Sequence, residues 1–357
     1  MLNLEQKILR IWTGKETGGP LTILLSGLSA AYRMALSLRD FCFRAGIFKT
    51  RRAPCRVVSI GNITVGGTGK TPMAIMVAGL LKNNGFRPAV LSRGYGGNSA
   101  GKTNIVSDGK QIFGTPEEAG DEPCLIAGLL ENVPVLTNPD RHEAGKAAVE
   151  KLGADVLVLD DGFQHRSLYR DINIALLDAA RPFGNGFLLP RGPLRERPES
   201  LERADLIVLT RAGSDASACE PLRKQFPGKK IMTARHEPEC IYDHATGETR
   251  PPSFISGKRV AAFCGIAGPE SFRELIEKLG GLVVFFKDFP DHHRYNSKDI
   301  DYLIGKSRDN SPDIILTTDK DRIKLGKADF PGLFALRIRM EIDSPEFPGW
   351  LLAGLTK

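Results

Sequence analysis

Short apolar runs alternate with amphipathic stretches along most of this 357-residue chain. The segments 57–60, 88–92, 133–136, 155–161, 172–177 and 205–210 read as strands bounded by glycine, proline or charge. Helical patterns fall between them, over 70–80, 123–130 and 143–152. Near-continuous apolar strands separated by helices predict a parallel sheet with helices on both faces. In such sheets ligands sit at the carboxyl ends of the strands. From residue 212 to Pro252 the sequence turns polar and irregular. A second α/β pattern follows, with strands at 259–264, 282–286, 313–317 and 333–342 and a helix at 270–279.

The segment before the first strand is different. Residues 21–38 (LTILLSGLSAAYRMALSL) form a helical pattern with a narrow polar stripe of Ser26, Ser29, Arg33 and Ser37. Leucines, Tyr32 and Met34 fill a wide apolar face. The uncharged core is shorter than the roughly 20 residues a bilayer span needs, and no convincing cleavage site follows it. Two readings stay open on periodicity alone: a helix lying in a membrane interface, or one packed on the protein's own core.

Charge changes that picture. The whole +7 excess lies in residues 1–56, which carry ten Lys/Arg against three acids. A neutral body thus bears a basic arm, suited to anionic lipid headgroups. Nucleic acid is the other partner of a basic arm, and the low polarity here argues against it. With 41% hydrophobic and 25% charged residues, the composition is that of an ordinary globular protein. Six cysteines are scattered without C-x-x-C spacing, which argues against a disulfide framework or zinc site and fits a reducing cytosol.

The chemistry concentrates in VVSIGNITVGGTGKTP, residues 57–72: strand, glycine-rich turn, helix. Gly66, Gly67, Thr68 and Gly69 let backbone N–H groups curl around phosphate oxygens, and the helix start adds its dipole. Lys70 would reach the β- and γ-phosphates, and the Thr71 hydroxyl would hold Mg²⁺. Thr64 stands where the strict G-x-x-x-x-G-K-[ST] pattern has its first glycine. DVLVLDD at 155–161 ends an apolar strand in Asp160 and Asp161, adjacent acids that call for a compensating cation. Arg93 and Tyr95 sit in a glycine-rich turn after the second strand. Asp121 and Glu122 open a helix, where they would complement its dipole with or without a catalytic role. His292 and His293 invite a metal reading, but adjacent residues point different ways and no ligand spacing accompanies them.

Taken together, GNITVGGTGKTP (61–72), LSRGYGG (91–97), GDEP (120–123), LDDGFQHRSLYRDINI (159–174), LPRGPLRE (189–196), FCGIAGPESF (263–272) and FPDHHRY (289–295) resemble the tetraacyldisaccharide 4′-kinases of Gram-negative bacteria. TTDKD (317–321) departs from the TEKD of that family and receives no role. The resemblance implies an α/β fold. Its parts are a basic amphipathic membrane-contacting arm (1–50), a P-loop NTPase-like parallel sheet domain (51–230) and a smaller C-terminal α/β domain (231–357). It implies transfer of the ATP γ-phosphoryl, with Mg²⁺, to the 4′-hydroxyl of an acylated glucosamine disaccharide 1-phosphate, giving lipid IVA. The enzyme would be peripheral, on the cytoplasmic face of the inner membrane, touching anionic lipids and needing no obligate protein partner or nucleic acid.

Carried over by motif, Lys70 and Thr71 take the ATP phosphates and metal. Asp160, Asp161 and Glu196 lie on the metal side. Asp121 is the expected base, assisted by His292; which of the two takes the proton stays open. Arg93, Tyr95, Arg141, Gln164, His165 and Arg195 would line the substrate. Two rivals lack their signatures. A GTPase switch would carry N-K-x-D, which is absent, and a partitioning ATPase would carry lysine at position 65, which is Val65. A pure membrane module would not need the GKT loop and DVLVLDD.

Overall fold

A computed structural model of the chain describes residues 4–16, 18–94, 101–212, 219–291, 293–326 and 330–356. Tyr95 and His292, both expected in the site, lie outside the described residues. Two helices come first, α1 (Leu4–Trp12) and α2 (Pro20–Arg44). Strand β1 (Arg56–Asn62) leads through the glycine-rich turn into α3 (Lys70–Asn83). Then follow β2 (Pro88–Ser92), β3 (Asn104–Ser107), α4 (Pro116–Ala119), α5 (Asp121–Leu129), β4 (Val135–Thr137) and α6 (Arg141–Leu152). β5 (Val156–Leu159), β6 (Ile172–Asp178), β7 (Leu206–Thr210) and α7 (Glu220–Gln225) complete the first half. The second half holds β8 (Lys230–Asp243), β9 (Thr249–Arg250), β10 (Arg259–Cys264), α8 (Pro269–Lys278) and β11 (Leu282–Asp288). It ends with α9 (Ser297–Asn310), β12 (Ile314–Thr318), α10 (Asp319–Leu325), β13 (Leu333–Ile342) and α11 (Phe347–Leu355).

The strands join in one sheet, ordered β11-β10-β12-β13-β8-β7-β6-β1-β5-β2-β4-β3, with β9 beside β8. From β4 to β7 the pairing is parallel, and β3 closes that edge antiparallel. The strand sequences explain this. Val58 and Ile60 pack into the core on one face of the sheet, with Met73 and Val77 of α3. Val57 packs with Leu91, Leu157 and Leu159 in a separate cluster. A strand buried on both faces belongs in the middle of a parallel sheet.

β8 is the joint between the halves. Its first residues, Lys230–Ala234, run parallel to β7. From Ala234 to Asp243 it pairs antiparallel with β13. This strand lies inside the stretch that reads from sequence as polar and irregular. Its apolar residues do not alternate cleanly, because Arg235, His236 and Glu239 face a cavity rather than a core. The last helix returns to the first half, where Phe347, Leu351 and Leu355 join the core around Ile172.

α2 docks by a mixed face of Thr22, Leu25, Ser29, Tyr32 and Leu36, and Arg33 of the polar stripe stays exposed. The Ser29 hydroxyl donates to the Leu188 carbonyl at 3.0 Å, and the Tyr32 hydroxyl to the Arg195 carbonyl at 2.8 Å. Leu25 and Leu36 are the buried large apolar residues of this helix. Ile23, Leu24, Leu28, Met34, Leu38 and Phe41 face outward, Ile23 74% and Met34 73% exposed. The helix runs six residues beyond the window legible in sequence, and by length and composition alone it could cross a membrane. Its docked side instead keeps two hydrogen bonds to the body and an ion pair from Arg39 to Glu196.

Candidate active site

The ends of β1, β2, β5 and β7 open on one cavity of about 1560 Å³, walled on the far side by β8, β13, α8 and the start of α10. This is larger than the roughly 300–1,000 Å³ of ordinary small-molecule pockets and leaves room for two substrates.

The glycine-rich turn lies on its floor. Gly66 (φ +115°) and Gly69 (φ +85°) adopt backbone angles that side chains disfavour. A Cβ on Gly69 would sit 2.6 Å from the Met340 Cε and 2.9 Å from the His236 Nε2, so both side-chain ends would have to shift in addition to the backbone strain at this φ. The turn is held from within: the Asn62 amide donates to the Thr68 hydroxyl at 2.9 Å. It is also held from outside, where Arg211 donates to the Gly67 carbonyl at 2.8 Å and pairs with Asp178 at 2.7 Å.

Beyond the turn, the two acids of DVLVLDD divide. Asp161 lies 3.8 Å from the Lys70 Nζ and 2.9 Å from an Arg195 nitrogen. Burial opposes its charge, but Lys70 and Arg195 hold its carboxyl below the usual range. Asp160 is buried, and its Oδ2 accepts from the Thr71 hydroxyl at 3.2 Å. Its Oδ1 is buried with no hydrogen-bond partner. Burial, Glu122 and Asp161 together push its carboxyl up, against the opposing pull of Lys70. A buried carboxylate with an orphaned oxygen next to a hydroxyl is short of positive charge. Mg²⁺, which takes one or two carboxylates and fills its shell with water and phosphate, suits that deficit. Among the described residues no set of three His, Cys, Asp or Glu could cage a metal alone.

Arg93, Arg141, Gln164, His165 and Arg195 all line the cavity, as the motifs imply. Arg141 is buried and donates to the Pro139 carbonyl at 3.1 Å. Burial and the neighbouring Arg93 lower its pKa to about 10, so it remains a cation at neutral pH. The Gln164 amide donates to the Asn62 carbonyl at 2.7 Å. His165 is different: burial first, then Arg141, lower its pKa to about 4, so its ring is neutral at pH 7. Asp121 is the first residue of α5 and faces the same cavity, with the Lys324 Nζ 4.0 Å from its Oδ2.

Glu196 is the exception among the described residues. It does not line the cavity. Its carboxylate meets Arg203 at 2.5 Å and Arg39 of α2 at 3.2 Å, in a buried position. Glu196, expected on the metal side, thus forms an ion-paired strut between α2 and the loop after β6 in this structure, with its Oε1 buried and without a hydrogen-bond partner.

Sequence reasoning missed Arg211, His236, Lys320 and Lys324. Arg211 was within reach, since it follows β7 at the ligand-binding edge of the sheet. The others come from the second half and meet the first only through tertiary packing.

Two buried neutral histidines have a consequence for stability. Burial, then Arg211, also lowers His236 to about 4. Between pH 6.5 and about 4 the unfolded chain holds protons on both rings that the native protein does not. The stability these two rings contribute is therefore fully present above pH 6.5 and falls as the pH drops through that window, while the raised Asp160 carboxyl acts in the opposite sense. Urea unfolding at a series of pH values should show this decline, and His236→Leu should flatten the slope by about one proton. An unchanged slope in that variant would count against the buried neutral ring.

Comparison with known proteins gives the family of the chain. Residues 21–356 match the family model described as Tetraacyldisaccharide-1-P 4′-kinase. The chain is 44% identical to the tetraacyldisaccharide 4′-kinase of Syntrophus aciditrophicus, over 96% of both chains. It is 43% identical to that of Geobacter metallireducens, over 85% of this chain and 88% of the relative. Its fold matches the crystal structure of LpxK from Aquifex aeolicus in complex with ATP, with TM-score 0.76 and 34% identity, over 94% of this chain and 99% of that one. With the family model matched over residues 21–356 and relatives 43–44% identical over most of their length, the chain belongs to the tetraacyldisaccharide 4′-kinase family.

Proposed function

We propose that this chain transfers the γ-phosphoryl group of ATP to the 4′-hydroxyl of a tetraacylated glucosamine disaccharide 1-phosphate, yielding lipid IVA. The observation that carries this reading is that one cavity holds the phosphate-binding turn, Asp161 and Asp121, and that Tyr32 of α2 lines it too. A helix with an outward apolar face thus reaches the edge of the reaction site, as an acceptor whose acyl chains stay in lipid would need.

Phosphoryl transfer asks mainly for positioning and charge neutralisation. The N–H groups of 66–70 and the Lys70 ammonium would bind and orient the phosphates. Thr71 and Asp160 would hold Mg²⁺, which when bound neutralises phosphate charge. Asp161, fixed by Arg195, would keep Lys70 aimed along the floor. Arg93 and Arg141 supply further cations to the same space, suited to an anionic acceptor. Asp121 would accept the hydroxyl proton, with His292 as its partner. ADP release by the purified protein should depend on the lipid acceptor presented in detergent. Equal turnover without acceptor would refute the kinase reading.

The location proposed is the cytoplasmic face of the inner membrane, peripherally bound. Each outward apolar side chain of α2 moved into the acyl region contributes on the order of 1.5–3 kcal/mol. Arg33, Arg44, Lys49 and Arg52 lie in or just after α2 and would add attraction to anionic lipids, about 1 kcal/mol each. Changing Ile23, Leu24, Leu28 and Met34 together to Ser should abolish flotation with anionic liposomes while the thermal midpoint holds. Flotation at the wild-type level would rule out this face as the membrane contact.

A further inference from the structure

α10 presents two lysines one turn apart, and each meets one of the two acids that open α5. Lys320 lies 3.9 Å from Glu122 and 3.4 Å from Asp291. Lys324 lies 4.0 Å from the Asp121 Oδ2 and 2.9 Å from the Asp321 Oδ1. The two pairs differ in depth. Lys320 lines the cavity, whereas Lys324 is 3% exposed and Asp321 fully buried. A lysine buried this deeply keeps its charge at little cost only where carboxylates surround it.

Asp321 in turn is fastened on its other side. Its Oδ2 accepts from the Gly265 amide at 2.9 Å and from the Thr318 hydroxyl at 2.7 Å. Gly265 is the turn after β10, and a Cβ there would meet the Asp321 carboxylate at 3.2 Å and the His293 Cβ at 3.3 Å. One chain of contacts therefore runs from Asp121 in the first half through Lys324 and Asp321 to the segment that carries His292 in the second.

We propose that Lys324 is a positioning residue for Asp121: its buried ammonium, fixed by Asp321, orients the Asp121 carboxylate in the cavity. This rests on Asp121 being the base proposed above. The base is then built from both halves, its carboxylate from α5 and the cation that holds it from α10.

The test is a double-mutant cycle on the full chain. Lys324→Met removes the charge and keeps the length. It should lower kcat by about 10²-fold, the cost of a misplaced reacting group, with KM for ATP unchanged. In an Asp121→Ala background the same substitution should lower kcat by less than about twofold, because nothing remains to position. A residue that merely supported the fold would lower kcat by the same factor in both backgrounds, and that result would overturn the proposal. Asp321 loses its cation in Lys324→Met. If that variant is too unstable to assay, Lys324→Met/Asp321→Asn removes the stranded charge and should keep the same kcat loss. Wild-type kcat in either folded variant overturns the proposal, and so does failure of both to fold, which would assign Lys324 to the core. Asp121→Ala alone separates the two readings. Near wild-type kcat there refutes the base, whereas a dead Asp121→Ala beside a fully active Lys324→Met refutes only the positioning role.

Discussion

Lys70→Ala should reduce phosphoryl transfer to a trace in a protein that still folds. The Lys70 side chain is 12% exposed, lies on the cavity floor and pairs with Asp161 rather than with a core group. Removing it leaves Asp161 held by Arg195 at 2.9 Å, while the buried Asp160, which loses the pull of Lys70, can remain protonated at little cost because its carboxyl is already pushed up. The loss falls instead on the transition state, where charge spread over the transferring oxygens has no other fixed cation from the turn. The expected cost is on the order of 10²–10⁴ in kcat, or roughly 3–5 kcal/mol. The thermal midpoint should move little. A folded variant with near wild-type kcat would remove the phosphate-binding assignment of the 66–71 turn.

Asp121→Ala and His292→Ala should each lower kcat by about 10²–10⁴-fold, and the double variant should be little worse than the poorer single one. Asp121 sits at the start of α5 and faces the cavity, and Asp291, next to His292 in the chain, lines the same cavity. If the two act on one proton, removing either removes the same event. ATP affinity should survive in all three variants, since neither residue belongs to the phosphate-binding turn. The alternative assigns Asp121 only to the helix dipole, worth about 0.3–1 kcal/mol of stability and nothing in kcat. Steady-state kcat and thermal midpoints of the three variants separate these outcomes. Multiplicative losses would refute the coupled pair even if both residues proved important.

What could be read from sequence was local. The turn at 66–71 and the acids at 160–161 announce themselves because strand, loop and helix are contiguous, and a phosphate site there needs little from elsewhere. The central strands are legible for the same reason, being apolar on both faces. β8 is not, because its charged positions face a cavity that exists only once β13 lies beside it. α2 shows a second limit. Its pattern gives an amphipathic helix, but beside the buried Leu25 and Leu36 the docking face carries Ser29 and Tyr32, bonded to carbonyls that no pattern in residues 21–38 can announce. Glu196 reads as part of a site motif, yet its carboxylate pairs with Arg203, seven residues on, and with Arg39, far away in α2. Lys324 carries no signal at all, since its partner Asp121 lies some two hundred positions away.

The central claim is that the cavity moves phosphate from ATP to one hydroxyl of a lipid-anchored disaccharide. Incubating the protein with γ-labelled ATP, Mg²⁺ and purified tetraacyldisaccharide 1-phosphate, then locating the new phosphate by ³¹P NMR, tests it most directly. The account predicts a single added monophosphoester on the 4′-oxygen, with the 1-phosphate unchanged and no product from Lys70→Ala. Label on the 1-phosphate as a pyrophosphate, or released only as inorganic phosphate, would contradict it.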